Sequence, residues 1–295
     1  MINRAITKVV LGAILISTSA PWVRLADVSP STAGFYRMLI GGICLLLICL
    51  YQKKRLWNGT STLLILLPPA IFFALDLAFW HRSIHLIGPG LATLLANLQV
   101  FFLAAIGFIF LKEKLNGLFF IGLIMAFIGV FFLIGLDNSF SNNNYRLGVF
   151  FGVLTALTYT GFILTMRKRQ PKGALCPASN LVTVSLLCSA LLATLIAFEG
   201  NSYLIPDTKS VIALLMLGVF CQAIGWLFIT TALPELSASL VGVILLLQPA
   251  LAMLWDTLFF GRATSWIDVV GSAMVLAGIY LTTLITSNKN QLNQA

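Results

Sequence analysis

Apolar residues run through this chain in stretches of about twenty, separated by short gaps where charges, prolines, glycines and asparagines collect. The runs fall near residues 5 to 24, 31 to 51, 63 to 84, 89 to 111, 116 to 136, 146 to 167, 175 to 198, 209 to 231, 236 to 260 and 266 to 286. A bilayer's hydrocarbon core is about 30 Å thick, and about 20 apolar residues cross it as a helix. The pattern therefore predicts an all-α integral membrane protein of ten transmembrane helices. No gap is long enough for a soluble domain.

Composition agrees. Of 295 residues, 59% are hydrophobic and 9% charged, against about 25% charged in an ordinary soluble domain. No soluble core buries so much apolar surface. The N-terminus imitates a signal peptide, with Arg4 and Lys8 before Val9 to Ile16 and a small-residue run Ser17-Thr18-Ser19-Ala20. Pro21 directly after that run argues against cleavage, so the segment is read as the first span. The five cysteines form no CxxC pair and have no histidine cluster nearby, which excludes a disulfide framework or a structural metal site from the reading.

The net charge of +9 would suggest nucleic acid in a soluble protein, but here its distribution sets a topology. With the N-terminus in the cytoplasm, twelve basic residues fall on that side, including Lys53-Lys54-Arg55 and Arg167-Lys168-Arg169. Five fall on the other: Arg24, Arg82, Arg146, Lys209 and Arg262. This is the positive-inside asymmetry. It places both termini in the cytoplasm of an inner (plasma) membrane protein, whose basic runs meet anionic lipid and not nucleic acid.

Shifting the chain against itself by 149 residues superimposes Phe79 on Phe228, Leu98 on Leu247, Gln99 on Gln248, Gly122 on Gly271, Met125 on Met274 and Gly129 on Gly278, with no gap between 79 and 129. The chain thus divides into residues 1–140, residues 145–288 and a short cytoplasmic tail, 289–295. Five spans per half is an odd number, so the second half enters the membrane in the opposite sense, giving two inverted five-helix repeats. Such repeats place a substrate site near the midplane where they meet.

The residues from Ala92 to Leu115, with Gln99 at mid-helix and Phe110-Leu111-Lys112-Glu113-Lys114-Leu115 at the end, followed by Gly122 and Gly129, carry a resemblance. The second copy supplies Gln248-Pro249, Phe259-Phe260-Gly261, Gly271 and Gly278. The chain resembles the drug/metabolite transporter superfamily, EamA type. That resemblance implies ten helices, a central cavity lined by helices 1, 3, 4, 6, 8 and 9, and transport of a small organic metabolite, with an amino acid or related amine exported as the best guess. One departure is Arg262, where the family usually closes the helix with an acid, as Glu113 does in the first half.

Polar groups in hydrocarbon are costly, so each is a candidate site and each also has a structural reading. Asp76 lies well inside the third span. It could carry a proton, meet a substrate amine, or pair with Arg37 or Arg82. Gln99 and Gln248 offer donor and acceptor at equal depth, or serve as interhelical glue. Asn97 points away from Gln99 on an ideal helix, so at most one of the two need face the cavity centre. Trp80, Trp226 and Tyr159 could wall a planar or cationic substrate, or sit in interfacial belts. Asp256, nearer the outer surface, reads as an interface or gate residue and is the second candidate for proton coupling. Arg37 reads as snorkelling or pairing. His81 and His85 lack a Glu between them and have Arg82 beside them, which disfavours zinc.

The leading expectation is a secondary transporter working by alternating access, with no cofactor. Its partners are a small-molecule substrate, membrane lipids and, as an option, a second copy in a homodimer. A facilitative importer of a nucleobase or sugar is the alternative. An embedded enzyme would need a cluster of reactive groups at one depth, and a channel a repeated polar ring. Two histidines and two deep carboxylates spread over three helices supply little of the first. No Walker A motif occurs, so ATP does not drive the chain directly.

Overall fold

A computed structural model describes residues 2–57, 60–111, 117–134, 143–168, 176–260, 266–267, 269–271, 273–278 and 281. Every regular element among them is helical. The order is α1 (Ile2–Ser17), α2 (Ser19–Leu25), α3 (Pro30–Tyr51), α4 (Thr60–Ile87), α5 (Pro89–Asn97), α6 (Gln99–Ile109), α7 (Gly117–Ile134), α8 (Asn143–Lys168), α9 (Pro177–Glu199), α10 (Thr208–Met216), a π-helical stretch Leu217–Gly225, α11 (Trp226–Ala232), a 3-10 turn Leu233–Glu235, α12 (Ala238–Leu245) and α13 (Leu247–Phe260). Six stretches are long and apolar enough to cross a bilayer: Arg4–Leu25, Pro30–Tyr51, Thr62–Ile87, Asn143–Lys168, Pro177–Glu199 and Thr208–Glu235. Four shorter apolar helices cover Leu95–Ile109, Gly117–Gly129, Leu240–Ala252 and Val269–Gly278. The segments 112–116, 135–142, 261–265 and 282–295, with Glu113 and Arg262, lie outside the described residues.

Local chemistry sets the helix ends. Ser29 caps α3 by accepting from the Thr32 N–H, with Pro30 in the first turn. Asp207 does the same for α10 and Ser237 for α12. Gly88 (φ 82°) turns the chain before Pro89, and Gly200 (φ 68°) ends α9 in the left-handed region.

Cross-ties show which ends lie together. Ser31 and Arg82 both bond Glu199, Thr32 Oγ1 donates to the Ser202 carbonyl, and the Asp27 N–H donates to Ser210 Oγ. These residues form the far end of the bundle. At the end where the chain starts, Trp57 Nε1 donates to Thr183 Oγ1, and a Cβ on Gly12 would stand 2.7 Å from the Gly225 carbonyl.

Three of the apolar helices are interrupted by tighter turns. Thr18 N–H bonds Leu15 O, Leu98 N–H bonds Leu95 O and Leu246 N–H bonds Val243 O, each an i to i−3 bond in place of i to i−4. The second and third interruptions fall one residue apart under the 149 shift. Within the core, α3 meets the π-helical stretch at Gly41 and Gly218: a Cβ on Gly218 would stand 2.6 Å from that of Ile40. Close approach of the backbones therefore requires glycine there.

Candidate functional site

The cavity at the middle of the bundle is assembled from eight helices. Ile16, Ser17, Ser19 and Ala20 come from the α1–α2 interruption, Arg37 from α3, and Phe73, Asp76, Leu77 and Trp80 from one face of α4. Thr93, Ala96 and Asn97 come from α5, Thr155 and Tyr159 from α8, Trp226 from α11 and Gln248 from α13. The cavity between them is small, about 40 Å³. Small-molecule sites usually enclose about 300–1,000 Å³, so this conformation is pinched around its polar groups.

The floor is aromatic. Phe73 stacks on Phe162 at 4.1 Å between ring centroids, and Trp226 meets Phe73 at 5.1 Å, Phe162 at 4.8 Å and Tyr159 at 5.9 Å, edge to face. Trp226 is fully buried, so it is no interfacial belt residue. This packing fixes where its indole N–H points.

The walls combine both signs of charge. Arg37, 2% exposed, donates from Nε to Gln222 Oε1 at 3.4 Å and sets its guanidinium carbon 5.9 Å from the Trp80 ring centroid. Gln222, from the π-helical stretch, is itself held by donating to Ser185 Oγ at 3.1 Å. Asp76 is buried on the same cavity. No hydrogen bond or ion pair of 4 Å or less joins it to Arg37 or Arg82 among the described residues. Arg82 is engaged elsewhere, with Glu199, Ser31 Oγ and the Ala78 carbonyl.

Four cavity residues present buried polar atoms without a hydrogen-bond partner: Asp76 Oδ1, Asn97 Oδ1, Trp226 Nε1 and Gln248 Nε2. Asn97 is oriented by its own amide nitrogen, which donates to the Thr93 carbonyl at 2.7 Å and so leaves the oxygen free. Tyr159 is in side-chain contact with Gln248. Buried polar groups in folded proteins are almost always paired. Two acceptors and two donors left open on one cavity form a set that a polar guest would complete.

Of the residues singled out in the sequence, Asp76, Trp80, Asn97, Tyr159, Trp226 and Gln248 come together here. Gln99 does not. It is fully buried two residues beyond Asn97, across the Leu98 turn and off the cavity lining, and neither amide atom has a partner. Asp256 lies on α13, with its side chain outside the described residues. His81 uses Nδ1 on the Pro30 carbonyl, and no group of three metal-ligating side chains occurs among the described residues. The sequence left Arg37 between snorkelling and pairing with an acid and did not place it on a site, and it offered Ser17 and Ser19 only as part of a processing-like motif; all three line the cavity.

Two consecutive stretches, residues 3–135 and 146–284, match the model of the EamA-like transporter family. The chain belongs to that family. It is 23% identical over 292 residues to the uncharacterized transporter YxxF of Bacillus subtilis, covering 95% of this chain and 89% of that one. It is 22% identical over 242 residues to the pseudopaline exporter CntI of Pseudomonas aeruginosa, covering 82% of each. A crystal structure superposes with TM-score 0.78 at 19% identity, covering 95% of this chain and 98% of the other, which shows the fold. The EamA-like chain is accordingly a multi-pass membrane transporter whose two family matches correspond to its two halves.

Proposed function

We propose that this EamA-like protein is a secondary transporter of a zwitterionic small metabolite, an amino acid or related amine, exported from the cytoplasm by alternating access around the Asp76–Gln248 cavity. The observation that carries the reading is the open set of polar atoms beside Arg37. The Arg37 guanidinium, Trp226 Nε1–H and Gln248 Nε2–H are donors suited to a carboxylate. Asp76 and Asn97 Oδ1 are acceptors suited to an ammonium group, and Trp80 adds an aromatic face for the cation. Each orphaned group costs about 1–3 kcal/mol while unpaired, so a ligand that pairs several of them at once has a large differential affinity for this site.

In this reading the six long and four short apolar helices are ten crossings, arranged as two inverted repeats with both termini cytoplasmic in the inner membrane. Twelve basic residues against five support the orientation. Export as the direction is supported by the name of the CntI relative.

A thermal-shift screen of the detergent-purified protein tests the substrate class, because a ligand that binds only the folded state raises its apparent stability. Zwitterionic amino acids and their amine relatives should raise the midpoint. A response confined to nucleobases or sugars would replace this reading with the importer alternative. Counterflow in proteoliposomes with the strongest hit should then show saturable exchange, where a channel would show none.

A further inference from the structure

The 149-residue shift carries α5 (Pro89–Asn97) onto 238–246 and α6 (Gln99–Ile109) onto 248–258, which are α12 and the body of α13. The crossing of α6 with α12 is therefore the repeat image of the crossing of α13 with α5. The two crossings differ. At the chain-start end α12 is shut against α6: a Cβ on Gly242 would stand 3.1 Å from Leu103 Cδ1 and 3.3 Å from Val100 Cγ2, and Leu240, Val241 and Val243 through Leu246 are fully buried. At the far end the image pair borders the cavity, with Thr93, Ala96 and Asn97 on α5 and Gln248 on α13.

The glutamines follow the same split. Gln248 is 7% exposed and lines the cavity, whereas its repeat partner Gln99 is 0% exposed beside the shut crossing, with both amide atoms unpaired. Such a group lowers the stability of this conformation, and an apolar side chain of similar size would suit the place better.

We propose that Gln99 is the cavity glutamine of the opposite conformation, exchanging with Gln248 as the two crossings exchange states. This rests on the alternating-access reading. When α6 parts from α12, Gln99 turns to the substrate's polar groups from the chain-start side, and α5 closes on α13 to take Gln248 out of the cavity. Each state thus offers the substrate one amide at the same depth. Thr93 and Gly242, repeat equivalents, change places in the same motion.

The test is side-specific labelling with a charged methanethiosulfonate in closed right-side-out and inside-out vesicles, located by peptide mass spectrometry. Buried Cys188 and Cys221 serve as internal controls for unfolding. Gln248→Cys should label from the far side and Gln99→Cys from the chain-start side. Gly242→Thr installs in the second half the residue that the first carries at 93 and wedges the shut crossing. It should raise Gln99→Cys labelling several-fold and lower that of Gln248→Cys. Gln99→Leu should melt at or above the wild-type temperature and leave Gln248→Cys labelling undiminished, because it removes the orphan from this conformation only. Protection of Gln99→Cys from both sides, also with Gly242→Thr, while Gln248→Cys labels, would overturn the exchange and leave the cavity reading intact. So would a lower melting temperature for Gln99→Leu. Protection of Gln248→Cys from both sides would instead overturn the cavity reading beneath it.

Discussion

Gly129 and Gly278 pack against each other's helices in a reciprocal contact. A Cβ on Gly129 would stand 2.5 Å from the Gly271 carbonyl and 2.8 Å from the Val275 nitrogen, and one on Gly278 would stand 2.5 Å from the Gly122 carbonyl and 2.8 Å from the Ala126 nitrogen. The 149 shift carries Gly122, Ala126 and Gly129 onto 271, 275 and 278, so each contact is the image of the other. Reciprocity of this kind is what a twofold axis produces at a self-complementary interface.

Because backbone atoms meet each added methyl, the helices must separate to admit it. Gly129→Ala and Gly278→Ala should each lower stability by about 1–3 kcal/mol, the usual cost of overpacking, and by similar amounts. Apparent melting temperatures in detergent check this. A large loss at one position with none at the other would contradict the paired geometry. The double variant should cost less than the sum, since the first methyl already separates the helices.

The apolar runs were legible because bilayer thickness dictates their length, and the repeat was legible because Gln99/Gln248 and Gly129/Gly278 are uncommon coincidences in hydrocarbon. The difference between the two glutamines was not. Repeat equivalence makes them look alike in sequence, and only the conformation adopted separates them. The turn at Leu98 carries no glycine or proline to announce it, unlike Gln248-Pro249. The π-helical stretch Leu217–Gly225, which brings Gln222 to Arg37, leaves no mark in an apolar pattern. Arg37 stayed between snorkelling and pairing because spacing fixes a residue's distance along a helix and not which way its side chain faces.

Arg37 and Asp76 are assigned to opposite ends of the substrate, and their variants should fail in opposite ways. For an amino acid that stabilises the wild type, Arg37→Gln should respond equally to that compound and to its methyl ester, while Asp76→Asn should respond equally to it and to its N-acetyl derivative. Removing one partner of a buried charge pair costs about 2–5 kcal/mol of binding, so the native response should weaken at least tenfold in either variant. Arg37→Lys should fall between, because an ammonium keeps the charge but not the planar fork that engages Gln222. Equal responses of both variants to all three compounds would contradict the assignment.

Arg82 and Glu199 tie α4 to the end of α9 with side chains 22% and 25% exposed. Arg82 also donates to Ser31 Oγ at 3.0 Å and to the Ala78 carbonyl at 2.6 Å, and Glu199 accepts from Ser31 at 2.7 Å and Asn201 at 2.8 Å. As a network it should exceed an isolated surface pair, so Glu199→Gln should cost about 1 kcal/mol or slightly more. Raising salt should narrow the difference from wild type, measured by thermal unfolding. Insensitivity to salt would place the effect in packing instead of charge.

Asp207 lies outside the apolar spans and caps α10, its Oδ1 accepting the Ser210 N–H at 2.6 Å. That backbone bond, reinforced by the Ser210 side chain, holds the carboxyl below its ordinary value of 3.8. A carboxyl with a depressed folded value contributes stability that is complete above the unfolded value and disappears as pH falls through the folded one. Asn caps a helix about as well as Asp, so Asp207→Asn isolates the charge at the positive helix end. Wild type should melt above Asp207→Asn by a constant margin between about pH 5 and 8 and lose that margin below about pH 4, near the unfolded carboxyl's own range. Asp207→Ala should melt lowest at neutral pH, because it gives up the hydrogen bond as well as the charge. The side chain is exposed, so added salt should shrink the Asp–Asn margin and leave the Asn–Ala margin in place. A margin that grew on acidification would reverse the sign and remove the carboxylate from the account of this helix end.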